Sequence, residues 1–168
     1  RGCSQGESSL FRDSSDSWSC GGNPQPLNDV CLQPRGTSIA EAFSAAGYNN
    51  AYIGKWHVDG HGRSNYIPPE RRLGFDYWKV LECTHNYNQS AYYAGDSDEK
   101  RFWEGYDAIA QTRDAQSYIR DHSRDHDGGR PFFLVLSWGP PHAPYGTAPD
   151  EYRALIQQTA VFIILFID

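Results

Sequence analysis

Thr37-Ser38-Ile39-Ala40-Glu41-Ala42-Phe43-Ser44-Ala45-Ala46-Gly47-Tyr48-Asn49-Asn50-Ala51-Tyr52-Ile53-Gly54-Lys55-Trp56-His57 compresses a helix, a stop and a strand into one run. Thr37 or Ser38 can cap the helix, with Glu41 near N3 completing a capping box. Ala40, Phe43 and Ala46 carry its apolar face, and Gly47 stands where a left-handed C-cap is favoured. Ala51-Tyr52-Ile53 then reads as a short buried strand leading into Gly54-Lys55-Trp56-His57.

The same unit recurs downstream. A helix is expected from Tyr106 to about His122, because Ala108, Ile109, Ala115 and Ile119 return at helical spacing, leaving Gln111, Arg113, Asp114 and Arg120 to face water. A charged, glycine-containing turn from Asp125 to Arg130 precedes the apolar run Pro131-Phe132-Phe133-Leu134-Val135-Leu136-Ser137-Trp138. Such a run suits a central parallel strand covered on both faces. Gly139-Pro140-Pro141-His142 follows at its carboxyl end. Two helix–strand–loop units imply right-handed crossovers and an α/β fold with a mostly parallel sheet flanked by helices. Ligands of such sheets bind beyond the carboxyl ends of the strands. Lys55, His57 and His142 all fall there.

Lys55 and His57 lie two apart, so in extended chain they point the same way. A lysine and a histidine converging on one spot suit an oxyanion and can stabilise charge on a leaving oxygen. His142 stands between Pro141 and Pro144, in a stiff loop that favours preorganisation. Each feature also has a plain reading: Lys-x-His as a solvated pair, Pro-Pro-His-Ala-Pro as a rigid turn.

Composition narrows the classes. The 168 residues fit one ordinary domain, and 39% hydrophobic with 14% aromatic content is enough for a core. A net charge of -6 argues against nucleic acid, whose phosphates demand a basic face. The longest apolar run, Ala160–Ile167, falls short of the roughly 20 residues that span a bilayer, so no transmembrane segment is expected. No basic-then-apolar leader opens the chain. Cys3, Cys20, Cys31 and Cys83 lack the close pairing of zinc sites and are too sparse for a disulfide scaffold. Residues 1–27 are rich in Ser, Gly and Asp without periodicity, residues 28–155 read as an ordered α/β domain, and residues 156–168 form an atypical apolar tail.

Three motifs in register resemble the sulfatase family, of the alkaline-phosphatase-like superfamily. They are Gly36–Phe43 through Ala46–Asn49 and Ala51–His57, then Pro68-Pro69-Glu70-Arg71-Arg72-Leu73-Gly74-Phe75-Asp76, then Phe132–Tyr145. The resemblance covers about residues 28–155 and implies part of the alkaline-phosphatase-like sandwich and hydrolysis of sulfuric esters. In that family the Lys and His of Gly-Lys-Trp-His contact the sulfate and the nucleophile, and the His of Pro-Pro-His contacts the sulfate. Those roles pass to Lys55, His57 and His142, with His57 also assisting turnover of the sulfated diol. Cys83-Thr84-His85-Asn86-Tyr87-Asn88 resembles a subfamily loop, which would give His85 and Asn86 a place in the substrate pocket. The family further implies calcium, a formylglycine made from the Cys of Cys-x-Pro-Ser-Arg, and a sulfated small molecule or sugar as substrate. Many members are exported, so a periplasmic or secreted full-length parent is implied, while oligomeric state and compartment stay open.

The sequence also departs from the family. No residue of the chain is assigned as a metal ligand, and the nucleophile motif is absent as written. Cys31-Leu32-Gln33-Pro34-Arg35 has its proline one place late and lies too close to Gly-Lys-Trp-His. Degenerate codons for the residues from Gln5 onward, read one base later, permit Arg-Ala-Ser-Leu-Leu-Ser, then Pro, then Thr-His-Gly-Val, at the family's separation. On that reading Cys3 is the remnant of the nucleophile motif, residues 1–27 and the tail are out of frame, and the chain is an inactive sulfatase fragment. Two alternatives stand beside it: a phosphatase or phosphonate hydrolase of the same superfamily, and a non-catalytic anion-binding protein.

Overall fold

The computed structural model describes residues 37–123 and 129–155. The expectations for residues 1–27, including Cys3, for the Cys31–Arg35 motif, and for the 156–168 tail lie outside the described residues.

The first helix, α1 (Ile39–Ala45), begins as its sequence dictates. Ser38 Oγ accepts from the Glu41 amide at 3.0 Å and the Glu41 carboxylate accepts from the Ser38 amide at 2.7 Å, a closed capping box. Gly47 follows in the left-handed region at φ 86° and turns the chain into β1 (Asn49–Lys55). Asn50, at the base of β1, is buried and ties three segments together. Its Nδ2 donates to the carbonyls of Ala40 (2.7 Å) and Gly74 (3.0 Å) and to Ser44 Oγ (2.8 Å).

Beyond β1 the chain forms β2 (Tyr77–Leu81), β3 (Ala91–Ala94), β4 (Arg101–Phe102), α2 (Asp107–Ser123) and β5 (Phe132–Ser137). The strands order as β4-β3-β2-β1-β5. The β5, β1 and β2 strands run parallel, whereas β2–β3 and β3–β4 are antiparallel, so the sheet is mixed. Alternation assigns the two faces. Tyr52, Trp78, Val80, Phe133 and Val135 pack with Ala40 of α1 and with Trp56, Ile67 and Phe75. Ile53, Tyr77, Leu134 and Leu136 pack with Trp103 and with Ala110 and Ala115 of α2. One helix thus covers each face.

Four expectations need correction. In the sheet of described residues the apolar run is an edge strand, half-buried throughout, and β1 takes the centre. On α2 the buried stripe runs through Asp107, Gln111, Ala115 and Tyr118, so Gln111 is inside and Ile119 is exposed. Tyr118 replaces it, with its ring against His122 and Tyr77. Asp114 does not simply face water, because it accepts from Tyr77 Oη at 3.0 Å and pairs with Lys79.

The 56–76 crossover from β1 to β2 contains only a short 3-10 turn at Pro69–Arg71, and buried Arg72 organises it. Its guanidinium donates to the carbonyls of Ile67 (3.0 Å) and Gly95 (3.0 Å), to Tyr66 Oη (3.1 Å) and to Asp96 (2.9 Å), and lies over the Trp78 ring. Asp96 is 82% exposed at its side chain, so the ion pair adds little, and the carbonyls that Arg72 satisfies inside the crossover matter more.

Gly54 marks the tightest contact in the sheet. A Cβ there would lie 2.0 Å from the Ser137 carbonyl oxygen, and φ is +113°. Gly95, at φ +54°, has nothing within 4 Å of the same atom. Gly95→Ala should therefore cost about 1 kcal/mol, the left-handed penalty alone. Gly54→Ala should cost more than about 2 kcal/mol, because it also pushes β5 off β1. Urea unfolding of the two variants measures the difference.

Candidate functional site

Three parallel strands, β5, β1 and β2, end on the same side of the sheet, and the predicted residues gather just beyond those ends. Lys55 is the last residue of β1. Trp56 is buried among Tyr52, Phe75 and Trp78, with ring centroids 4.8, 5.9 and 5.1 Å away, and anchors the strand end. His57 is exposed and adopts φ 58°, so the extended geometry expected to align it with Lys55 stops at Trp56. The amides of Trp56 and His57 donate in succession to the carbonyls of Leu81 (3.0 Å) and Glu82 (2.9 Å). Successive amides of a straight strand point to opposite sides, so the chain bends here.

His142 follows β5 on an exposed loop. The loop is clamped by the segment after β2: Tyr87 Oη donates to the Ala143 carbonyl at 3.1 Å, and Asn88 Nδ2 to that of Thr147 at 3.2 Å. Gly139 lets buried Tyr87 approach this closely, since a Cβ there would lie 2.6 Å from the Tyr87 ring. The Pro140–Pro141 and Ala143–Pro144 peptide bonds are cis. His142 Nδ1 lies 2.9 Å from the Ala143 carbonyl oxygen. A carbonyl only accepts, so Nδ1 carries a proton, and Nε2 becomes a donor only when the ring is cationic.

The Cys83–Asn88 segment supplies a third histidine. The His85 ring stacks on that of His142 at 4.5 Å and 14°, and its Nε2 is sealed from solvent with no hydrogen-bond partner. Asn86 is exposed, with its amide bonded to Thr84 Oγ1 at 3.1 Å. Cys83 is a buried free thiol. The structure thus brings His85 to His142 and leaves Asn86 on the turn beside them.

Sequence reasoning missed Arg63. Gly60 (φ 67°) and Gly62 (φ 104°) fold the chain back after β1, and the Arg63 carbonyl accepts from the Cys83 amide at 2.8 Å. An exposed arginine therefore joins the histidines. The signal was present in Asp59-Gly60-His61-Gly62-Arg63, a glycine-rich return directly after the Lys-x-His motif.

The electrostatics of the group are one-sided. Loss of hydration pushes His57 below the ordinary histidine range, and Lys55, Arg63, His85 and His142 push it further. His85 is lowered by burial and then by Lys55, His142 and Arg63. A cluster of like charges that repel one another has a place for an anion. Among the described residues no three His, Cys, Asp or Glu side chains come together as a metal cage. A cationic cluster repels calcium, so the described residues do not fit that ion.

Beside Lys55 lies a small cavity of about 10 Å³, bounded by Thr84, Ser90, Trp103, Asp107, Gln111 and Gly139 among others, with room for about one water. Asp107 Oδ1 and Gln111 Oε1 are buried there without partners. Burial raises the Asp107 carboxyl to about 6, against the bonds from Ser90 and the Ala108 amide.

The sulfatase family model matches residues 1–159. The chain belongs to the sulfatase family. It is 44% identical to an ulvan-active sulfatase of Formosa agariphila over 82% of this chain and 26% of the relative. It is 28% identical to an endo-4-O-sulfatase of Bacteroides thetaiotaomicron over 67% of this chain and 25% of the relative. Among solved structures, a Bacteroides fragilis protein assigned to the sulfatases superposes with a TM-score of 0.66 at 27% identity, over 74% of this chain and 30% of its own. The chain thus spans about a quarter of the length of the curated sulfatases it matches.

An anion entering the cluster should reverse the shifts of its histidines. Adding sulfate should raise the NMR titration midpoints of His57 and His85, and sulfate should bind more tightly as pH falls through the histidine range. Midpoints that stay fixed at saturating sulfate would show that the cluster binds no anion.

Proposed function

We propose that this chain forms the sulfate-recognition part of a sulfuric ester hydrolase, and that its substrate is a sulfated sugar. The observation that carries the reading is the gathering of Lys55, His57, Arg63, His85 and His142 beyond the ends of three parallel strands. Lys55 and His142 neutralise sulfate oxygens by charge-assisted hydrogen bonds, each worth about 1.5–3 kcal/mol. His57, with its lowered pKa, is suited to exchange a proton with the group attached to sulfur. His85 supports His142 through their stacked rings. In the family's chemistry a formylglycine would supply the attacking oxygen and calcium would polarise the sulfate, and the described residues of this chain would not hold that ion. The part left to this cluster is to bind the sulfate, orient it and neutralise its charge.

Two features favour a sugar. The matched relatives include an N-acetylglucosamine-6-O-sulfatase of Bacteroides thetaiotaomicron, 31% identical over 67% of this chain. The small cavity beside Lys55, with room for about one hydroxyl oxygen, also holds two unpaired acceptors, Asp107 Oδ1 and Gln111 Oε1, that such a donor would satisfy.

Calorimetry with inorganic sulfate tests the recognition step. Lys55→Ala and His142→Ala should each weaken binding about tenfold or more, the loss of one charged hydrogen bond. Unchanged affinity in both variants would remove the assignment. The sugar reading has its own test. Gln111→Leu, close in volume, should weaken a sulfated monosaccharide several-fold and leave inorganic sulfate unaffected. Equal effects on the two ligands would contradict it.

A further inference from the structure

Glu82 follows β2 directly and is buried at 3% exposure, yet it belongs to neither core cluster. Its Oε1 accepts from two consecutive amides, those of Asp59 and Gly60, both at 3.1 Å. Its own carbonyl accepts from the His57 amide at 2.9 Å. One residue therefore holds three of the four amides of the 57–60 turn. That turn contains two left-handed residues, His57 at φ 58° and Gly60 at φ 67°. A non-glycine residue in this region is strained and persists only where its surroundings over-determine it. Asp59 is engaged elsewhere, with Arg71 at 2.7 Å and His61 at 3.1 Å, and supplies no substitute acceptor to the turn.

We propose that Glu82 is the positioning residue of this site, fixing the bend that presents His57 to the anion. The inference rests on the sulfate reading of the cluster. Glu82 acts as an acceptor rather than as a charge. Burial raises its carboxyl to about 7, with Asp59 adding to the rise, so the charge is partly lost near neutrality while the accepting oxygen remains. The side chain that keeps the acceptor and drops the charge should therefore preserve the site, and the one that keeps the charge and withdraws the acceptor should not.

Three substitutions separate these roles. Glu82→Gln retains Oε1, Glu82→Asp pulls the carboxylate back by one methylene, and Glu82→Leu removes the acceptor at similar volume. His57 ring resonances and the Kd for inorganic sulfate are read in each folded variant, with Gly95→Ala as a destabilised control. Glu82→Gln and Gly95→Ala should keep the His57 resonances and sulfate affinity near those of the parent. Glu82→Asp and Glu82→Leu should move the His57 resonances and weaken sulfate about tenfold. If Glu82→Leu fails to fold, Glu82→Asp carries the comparison. Amide exchange of the parent is independent of any variant: slow exchange at Asp59 and Gly60 is expected, and rapid exchange would overturn the proposal. Unmoved His57 resonances in Glu82→Asp, or an equal loss in Glu82→Gln, would also overturn it. Absence of sulfate binding in the parent would instead overturn the sulfate reading, and the His57 resonances would still decide the role of Glu82.

Discussion

Strand β1 is hydrogen-bonded along its length to β2 on one side and β5 on the other, all three in parallel register. The rest of the structure depends on that double pairing. It fixes the point where β1 stops, and thereby where Lys55 stands. It also brings the ends of β2 and β5 alongside, from which His85 and His142 descend. Gly54 permits the close approach to β5, and Trp56 locks the end of the strand into the core on the α1 side. The site is built on strand ends and on loops bonded to them, which is the precise kind of scaffold.

Repulsion among cations shapes the site next. Five side chains that are cationic or become so on protonation share one neighbourhood, in a chain whose net charge is -6. Such a cluster is unfavourable when empty, and it is relieved by an oxyanion. The backbone around it is correspondingly well tied. Tyr87 and Asn88 hold the His142 loop, the Cys83 amide holds Arg63, and Glu82 holds the turn after His57. Residues 82–88 thus act mainly as a brace between the two loops that carry the motif histidines.

Local features are the legible ones. The capping box of Ser38 and Glu41, the stop at Gly47, the extents of α2 and β5 and the middle of β1 follow from nearest-neighbour chemistry, whereas β1 runs two residues further at each end than Ala51–Ile53. Short β2, β3 and β4 do not announce themselves. Lys79 interrupts the apolar pattern of β2 because Asp114 of α2 pairs with it, and that partner lies far away in sequence. Helical spacing alone finds Ala115 on the interior face of α2 but takes Ile119 in place of Tyr118. Polarity alone puts Gln111 in water, although its packing over Gly54 buries it. In the site, Lys55, His57 and His142 can be named from motifs. Arg63 is signalled only by the glycine-rich return after the Lys-x-His motif, and Glu82 by nothing local, because its place is set by bonds between the β1–β2 crossover and the end of β2.

A crystal soaked in selenate, whose anomalous signal marks an oxyanion, tests the central claim most directly. An anion site at this cluster predicts a selenium peak bounded by Lys55 Nζ and His142 Nε2 at hydrogen-bonding distance, on the His57 side of β1. Selenium found only at other surface cations, with this cluster empty at saturating selenate, would contradict it.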